Sequence, residues 1–187
     1  MRPSAAIARG TRTLGSAAEA RTLLAHIRGV EVSALALAAE FTDAELAAFD
    51  ALVQRRLAGE PLQHLTGRAY FAGIEVAVGP GVFIPRPETE LLASWALERL
   101  EEIAKDAERQ PVVVELCAGS GAMSRALATQ FPAAQYHAVE LSADAAAYLT
   151  ANLADTAVQV VVGDMADALG ELDGTVDVVI SNPPYVP

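Results

Sequence analysis

The sequence is poor in cysteine, in aromatic side chains and in long apolar runs, and each shortage excludes a class of protein. Cys117 is the single cysteine in 187 residues, so an internal disulfide is impossible and a reducing compartment such as the cytoplasm is expected. No apolar run approaches the ~20 residues that span a bilayer, and no apolar segment of the signal-peptide type follows the N-terminal arginines. The cysteine and the histidines lack the spacing of metal ligands, so no metal site is expected.

What is present is the composition of a folded, acidic protein. Hydrophobic residues make up 52% of the chain and the mean hydropathy is +0.29, which supplies enough apolar side chains for a well-buried core. The net charge is −11, but residues 1–28 carry five arginines and one glutamate, which leaves −15 for the rest. Because Lys and Arg contacts to phosphates dominate affinity for nucleic acid, this acidic body argues against a nucleic-acid partner.

Three patterns follow one another along the chain. Residues 1–66 are predicted to form a small helical domain or a helical cap, because residues 16–58 are rich in Ala and Leu and Thr42-Asp43-Ala44-Glu45 has capping-box spacing. Residues 67–86 are predicted to form a β-hairpin linker that turns at Gly79-Pro80-Gly81. Residues 87–187 begin with a helix, after which short β-branched runs alternate with helices from residue 111 onward. This alternation predicts an α/β fold with a parallel, doubly wound sheet.

A glycine-containing turn joins the first predicted strand of this sheet to its helix. It reads Glu115-Leu116-Cys117-Ala118-Gly119-Ser120-Gly121. Glycines let a ligand approach the backbone closely, and the helix behind them begins with unpaired N–H groups. The three-glycine fingerprint of dinucleotide sites is absent from this turn. A nucleoside that carries a small zwitterionic tail is therefore favoured over a pyrophosphate.

Acidic residues follow the next two predicted strands. Glu140 lies nineteen residues beyond Gly121, at a strand end where a carboxylate can accept hydrogen bonds from both ribose hydroxyls of a nucleoside. Asp164 follows the third strand, where its side chain could reach an adenine amino group, and Met165 could pack on the base. Each residue also has an ordinary interpretation, as a solvated strand-end carboxylate, a turn aspartate and a core methionine.

Asn182-Pro183-Pro184-Tyr185 follows the apolar run of residues 176–181. Because prolines lack an N–H and have a fixed φ, the strand cannot continue and the carbonyls around them have no ladder partners. These acceptors, the asparagine side-chain carbonyl and the flat tyrosine ring suit a planar NH2 group, such as an amide or the exocyclic amine of a base. The alternative is a simple Pro-rich turn after a buried strand.

Taken in this order, these segments resemble a class I S-adenosylmethionine-dependent methyltransferase with a Rossmann-like sheet. Asn-Pro-Pro-Tyr is shared by enzymes that methylate planar nitrogens. Residues 60–73 and, above all, Val82-Phe83-Ile84-Pro85-Arg86-Pro87-Glu88-Thr89-Glu90 resemble the HemK-type (PrmC) peptide chain release factor glutamine-N5 methyltransferases. The resemblance covers roughly residues 15–187. It implies S-adenosylmethionine as cofactor, S-adenosylhomocysteine as product and release factors as protein substrates.

The resemblance also implies roles for individual residues. It places Met165 beside the adenine and Asn182 between cofactor and substrate. With Asp164 included for its position after the third strand, the predicted cofactor-binding residues are Cys117, Ala118, Gly119, Ser120, Gly121, Glu140, Asp164, Met165 and Asn182. Asn182, Pro183, Pro184 and Tyr185 are predicted to hold the glutamine amide, with Asn182, Pro183 and Tyr185 as catalytic residues. The family commonly has glycine in place of Cys117 and aspartate in place of Glu115 and Glu140.

Two other functions stay open at this point. A nucleic-acid amino-methyltransferase would share Asn-Pro-Pro-Tyr and the glycine turn, although the acidic charge and residues 82–90 oppose it. A non-catalytic fragment is the other, because the family's chain continues with further strands where this sequence ends at Pro187. The expectation is therefore the first half of the sheet, with the strand before Asn182 as an unprotected edge.

Overall fold

The chain divides at Gly67 into two units, Met1–Gly67 and Arg68–Pro187. The structure is a computed structural model and describes residues 1–106 and 109–184. Tyr185, a predicted substrate-binding residue, lies outside the described residues. No helix in the described part of the chain is both long and apolar enough to cross a membrane.

The first unit consists of four helices. They are α1 (Pro3–Leu14), α2 (Ala17–Arg28), α3 (Asp43–Leu57) and α4 (Leu62–Thr66), with a 3-10 turn at Val32–Leu37. The side chain of Ser16 accepts a hydrogen bond from the N–H of Glu19, and Thr42 and Glu45 form the expected capping box. The capping box confirms the predicted start of α3, and the Ser16 cap marks the start of α2, whereas α1 was not predicted. The apolar core of the unit includes Leu23, Leu24, Leu35, Phe49 and Val53.

The second unit opens with an antiparallel hairpin of β1 (Arg68–Phe71) and β2 (Ile74–Ala77). Its turn is Ala72-Gly73, not Gly79-Pro80-Gly81 as predicted. Ala72 has a φ of 46° and Gly73 a φ of 82°, and two positive φ angles are what a two-residue turn between twisted strands requires. The glycines at 79 and 81 serve a second turn, in which the N–H of Val82 donates to the carbonyl of Gly79 at 3.3 Å.

Alternating helices and strands make up the rest of the unit. A 3-10 turn at Pro87–Thr89 leads into α5 (Glu90–Asp106). The elements that follow are β3 (Val112–Leu116), α6 (Ala122–Gln130), β4 (Gln135–Glu140), α7 (Ala143–Leu153), β5 (Gln159–Val162) and β6 (Val178–Ser181). The strands lie in the order β5-β4-β3-β6 and all their pairings are parallel. This arrangement confirms the predicted parallel α/β sheet.

Small residues bring α5 close to the core. Ala93, Ala96 and Leu100 are fully buried, whereas Leu91 and Trp95 are 76% and 48% exposed. Alanine has little volume, so the helix backbone can approach its neighbours closely at Ala93 and Ala96. Leu91 and Trp95 lie on the exposed side of the helix.

Gly10 gives a test of packing in the first unit. A Cβ at Gly10 would lie 2.6 Å from Cζ of Phe49 and 2.9 Å from Cβ of Ala20. We expect Gly10→Ala to lower the free energy of unfolding, because overpacking costs about 1–3 kcal/mol and the better helix propensity of alanine returns only up to about 1 kcal/mol. Denaturant titration measures the change, with the exposed Ser4→Ala on the same helix as control. Equal or greater stability of Gly10→Ala would contradict this packing.

Candidate active site

The carboxyl ends of the parallel strands bring the predicted site segments to one edge of the sheet. Leu116 pairs with Val139 on one side and with Ser181 on the other, and the Ser181 hydroxyl donates to the carbonyl of Leu116 at 3.0 Å. The chain runs outward from β3 through β4 to β5 and then returns to the other side of β3. Ligands of open α/β sheets bind at such a reversal, outside the carboxyl ends of the strands.

The turn between β3 and α6 depends on three left-handed residues. Cys117, Gly119 and Gly121 have φ angles of 57°, 57° and 76°. The Ala118 N–H donates to the carbonyl of Val139 at 3.0 Å and the Gly121 N–H to the carbonyl of Ala118 at 2.8 Å, which fixes the turn. A residue with a Cβ is strained by roughly 1–2 kcal/mol in this conformation. A glycine at position 117 would avoid this strain.

The two glycines of the turn serve different purposes. A Cβ at Gly119 would meet no atom within 4 Å, so the backbone there is open to an approaching ligand. A Cβ at Gly121 would lie 2.6 Å from Cδ1 of Leu149, so Gly121 is needed for packing against α7. Ala118 and Ser120 are buried. Their side chains are therefore not available to anything bound outside the turn.

Glu140 closes the site on the β4 side. Its Oε2 accepts from the N–H of Gly119 and its Oε1 from the N–H of Ser142, both at 2.8 Å. The residue is half-buried. Because each carboxylate oxygen has two lone pairs, the group retains acceptor capacity for the two hydroxyls of a ribose. The open side of Gly119 and this carboxylate together fit a nucleoside.

Asp164 and Met165 follow β5 at the same edge. Asp164 is exposed and its Oδ1 accepts from the N–H of Ala166 at 2.9 Å, so the ordinary turn role holds for this oxygen. Met165 is 53% exposed. It is therefore not a core methionine, and its apolar side chain is accessible to a planar ring at the strand end.

Asn182 lies directly beyond β6 and contacts a segment whose position was not predictable from the sequence. Its Nδ2 donates to Oγ1 of Thr89 at 3.2 Å. Thr89 belongs to the 82–90 segment, and sequence reasoning had not assigned it to the site. The following Pro183 and Pro184 are exposed and extend no strand.

Glu90 and Arg86, which are close to Thr89 in sequence, contact other parts of the unit. Oε1 of Glu90 accepts from the N–H of Ala72 at 3.0 Å and so holds the hairpin turn. The exposed Arg86 guanidinium lies 5.0 Å from the centroid of the Phe83 ring. Within the 82–90 segment, it is therefore the Thr89 hydroxyl that reaches Asn182.

Glu115 binds the start of α6, the helix that follows the turn. It is 4% exposed, and its Oε2 accepts from the N–H of Ser124 at 2.9 Å and from the Ser124 hydroxyl. Burial raises the pKa of Glu115 to about 7, while the hydrogen bonds from Ser124 oppose the rise and the nearby Glu140 adds to it. Glu115 thus anchors the first turn of α6 with a carboxyl group whose charge is costly.

Comparison with known proteins adds the family context. Residues 5–67 match the PrmC N-terminal domain and residues 113–186 match a methyltransferase domain. The release factor glutamine methyltransferases of Streptomyces coelicolor and Mycolicibacterium smegmatis are 44% and 45% identical over 98% and 97% of this chain. The chain spans 66% of the length of each.

A further relative is named for a different activity. The 4-amino-L-phenylalanine/4-methylamino-L-phenylalanine methyltransferase of Streptomyces pristinaespiralis is 46% identical over 72% of this chain and 46% of its own length.

The buried carboxyl group predicts a pH-dependent stability. The folded pKa of Glu115 is about 7 against an ordinary value of 4.5, so the folded state holds the proton that the unfolded state releases. Its contribution to stability is complete below pH 4.5 and is lost as the pH rises through 7. We expect Glu115→Gln to gain up to about 3 kcal/mol of stability relative to the parent chain between pH 4.5 and 8.

Denaturant unfolding at several pH values measures this difference. The exposed Glu98→Gln on α5 is the matched control and should show a constant offset from the parent chain. A Glu115→Gln offset that is equally independent of pH would contradict the raised pKa.

Proposed function

Since the chain belongs to the HemK-type (PrmC) release factor glutamine methyltransferase family, we propose that it transfers a methyl group from S-adenosylmethionine to the side-chain amide nitrogen (N5) of a glutamine in peptide chain release factors. S-Adenosylhomocysteine is the second product. The observation that carries the proposal is the edge of the sheet where the open glycine turn, the Glu140 carboxylate and the Thr89-held Asn182 lie together.

One side of this edge suits the cofactor. When bound, S-adenosylmethionine supplies an electrophilic methyl carbon on a sulfonium sulfur. Glu140 would accept hydrogen bonds from its ribose hydroxyls, Asp164 would accept one from its adenine amino group, and Met165 would pack on the base. The backbone of residues 117–121, which is open at Gly119, would hold its amino-acid part.

The other side suits the substrate amide. An amide nitrogen is a poor nucleophile because its lone pair is delocalised into the carbonyl. The Asn182 side-chain carbonyl and the Pro183 backbone carbonyl accept hydrogen bonds from its two N–H groups. These contacts direct the lone pair and raise the electron density on the nitrogen. Once alkylated, the nitrogen becomes acidic and loses one proton to solvent, so no strong base is needed beforehand. The rate gain comes from orientation and electrostatics.

Thr89 fixes the orientation that this role requires. Because an amide group is planar, a hydrogen bond from Nδ2 to Thr89 directs Oδ1 of Asn182 to the opposite side of the group. The oxygen is then the atom that accepts from the substrate. Pro184 shapes the entrance, and Tyr185 stacks on the amide plane in this proposal.

In this proposal, the first unit and the linker provide the specificity for release factors as substrates. We assign residues 1–66 to release-factor recognition, residues 67–86 to the linker and residues 87–187 to cofactor binding and methyl transfer. The match to the PrmC N-terminal domain supports this assignment. The net charge of −11 argues against a nucleic-acid substrate. Release factors as substrates would imply a cytoplasmic location.

The similarity to a methyltransferase that acts on 4-amino-L-phenylalanine suggests a second candidate. An arylamine and a glutamine amide both present a planar nitrogen with two hydrogens. The same acceptors, Asn182 and Pro183, would suit either group. The match to the PrmC N-terminal domain favours the release factor.

Methyl transfer from labelled S-adenosylmethionine to an unmethylated release factor tests the proposal. We expect label on the intact factor and none on a factor whose target glutamine is replaced by alanine. A parallel reaction with 4-amino-L-phenylalanine tests the second candidate. A folded chain that labels neither substrate would contradict both.

Replacement of Asn182 by alanine tests the proposed acceptor. We expect turnover to fall about 100-fold, as when one electrostatic contact to a reacting group is removed, with the S-adenosylhomocysteine dissociation constant changed far less. Steady-state kinetics and calorimetry measure the two quantities. Turnover close to that of the parent chain would exclude this role for Asn182.

Thr89→Val tests the orienting contact, because valine keeps the shape of threonine and removes the acceptor. We expect turnover to fall about tenfold, the equivalent of one hydrogen bond of ordinary strength. Thr89→Ser is the matched control, since it keeps the hydroxyl, and it should retain most of the activity. Parent-like turnover in Thr89→Val would contradict the orienting role of the hydroxyl, and an equal loss in Thr89→Ser would show that the effect is not specific to the hydroxyl.

A further inference from the structure

Asn152 on α7 hydrogen-bonds to two segments that are far apart in sequence. Its Nδ2 donates to the carbonyl of Ser120 at 2.8 Å and to the carbonyl of Ala77 at 2.9 Å, and its Oδ1 accepts from the N–H of Ala77 at 2.8 Å. The side chain is buried, with the residue 8% exposed. Both amide hydrogens and the carbonyl oxygen are therefore used to hold backbone groups.

The linker lies along the same side of α7. Asp144, Tyr148 and Asn152 are spaced four residues apart and so share one face of the helix. A Cβ at Gly79 would lie 2.2 Å from the hydroxyl oxygen of Tyr148, and one at Gly81 would lie 2.8 Å from Cβ of Asp144. Residues 77–81 therefore pack closely along α7, from Asn152 near its C-terminal end to Asp144 in its first turn.

The turn of residues 117–121 also depends on α7. Gly121 packs on Leu149 and Leu153 of this helix, and Ser120, which is 3% exposed, has its carbonyl bonded by Asn152. Removal of the Asn152 donors would leave the carbonyl of Ser120 without this partner in buried surroundings, which is costly. The exposed Ala77 would lose the hydrogen bond from its carbonyl to the same amide group, so the two segments would no longer be held by one side chain.

We propose that Asn152 is a positioning residue that couples the cofactor-binding turn, residues 117–121, to the end of the linker, residues 77–86. The inference rests on the proposed function for the identity of the ligand at the turn. A ligand that orders the turn also orders the linker through the planar amide of Asn152, and by linkage an ordered linker favours the ligand. The linker leads directly into the 3-10 turn that ends at Thr89, and the Thr89 hydroxyl accepts a hydrogen bond from the Asn182 amide. Coupling through Asn152 therefore extends toward the substrate side of the site.

Hydrogen exchange of the whole chain, measured by mass spectrometry with and without S-adenosylhomocysteine, tests the coupling. We expect the ligand to slow exchange about tenfold both at residues 117–124 and in the peptide covering residues 74–82. Protection of the turn alone would overturn the coupling while leaving the cofactor site intact. Protection of neither segment would overturn the proposed cofactor site and the coupling with it.

Substitution separates the role of Asn152 from simple stability. Asn152→Asp keeps the shape and the acceptor for Ala77 but removes both donors. We expect it to weaken S-adenosylhomocysteine binding about tenfold and to abolish the ligand-dependent protection of residues 74–82. Thr150→Ala, at an exposed position on α7, is the control and should behave as the parent chain. Parent-like affinity and linker protection in Asn152→Asp would overturn the proposal. If the variant does not fold, the exchange difference in the parent chain decides the question alone.

Discussion

The pairing of β3 with a strand on each side is the constraint on which the rest of the site depends. β4 carries Glu140 to one side of the glycine turn and β6 carries Asn182 to the other, and the register of Leu116 with Val139 and Ser181 aligns the three strand ends. The proposed nucleoside site and the proposed amide site thus become neighbours across β3. Because the sheet is parallel, all these groups emerge at one edge. A shift of the β6 register by one residue would turn the Asn182 side chain to the opposite face of the sheet.

Buried and half-buried polar side chains give the turn its fixed shape before any ligand binds. Glu115 holds the first turn of α6 through Ser124, and Glu140 holds Gly119 and Ser142. Such groups are costly to bury, and the raised pKa of Glu115 reflects that cost. In return, the backbone that would face a ligand needs little rearrangement. Preorganisation of this kind is how a site without a strong base can still accelerate a reaction.

Much of this architecture was predictable from local patterns. The capping box at Thr42, the strand and helix alternation after residue 111 and the glycine turn all rest on interactions between residues close in sequence. The contact of Thr89 with Asn182 and the bonds of Asn152 to Ala77 and Ser120 join residues 32 to 93 positions apart. No local pattern marks a buried asparagine as a partner of distant backbone. The prediction of the hairpin turn was wrong for a related reason. Ala72 adopts a positive φ, which is uncommon for a residue with a Cβ and is not indicated by the local sequence.

The most direct test of the central claim is a crystal structure of the chain grown with S-adenosylhomocysteine. The account predicts that the ribose hydroxyls bind the Glu140 carboxylate, that the amino-acid part lies along residues 117–121, and that the sulfur faces Asn182. A ligand bound away from the carboxyl edge of the sheet, or one whose ribose does not contact Glu140, would contradict it.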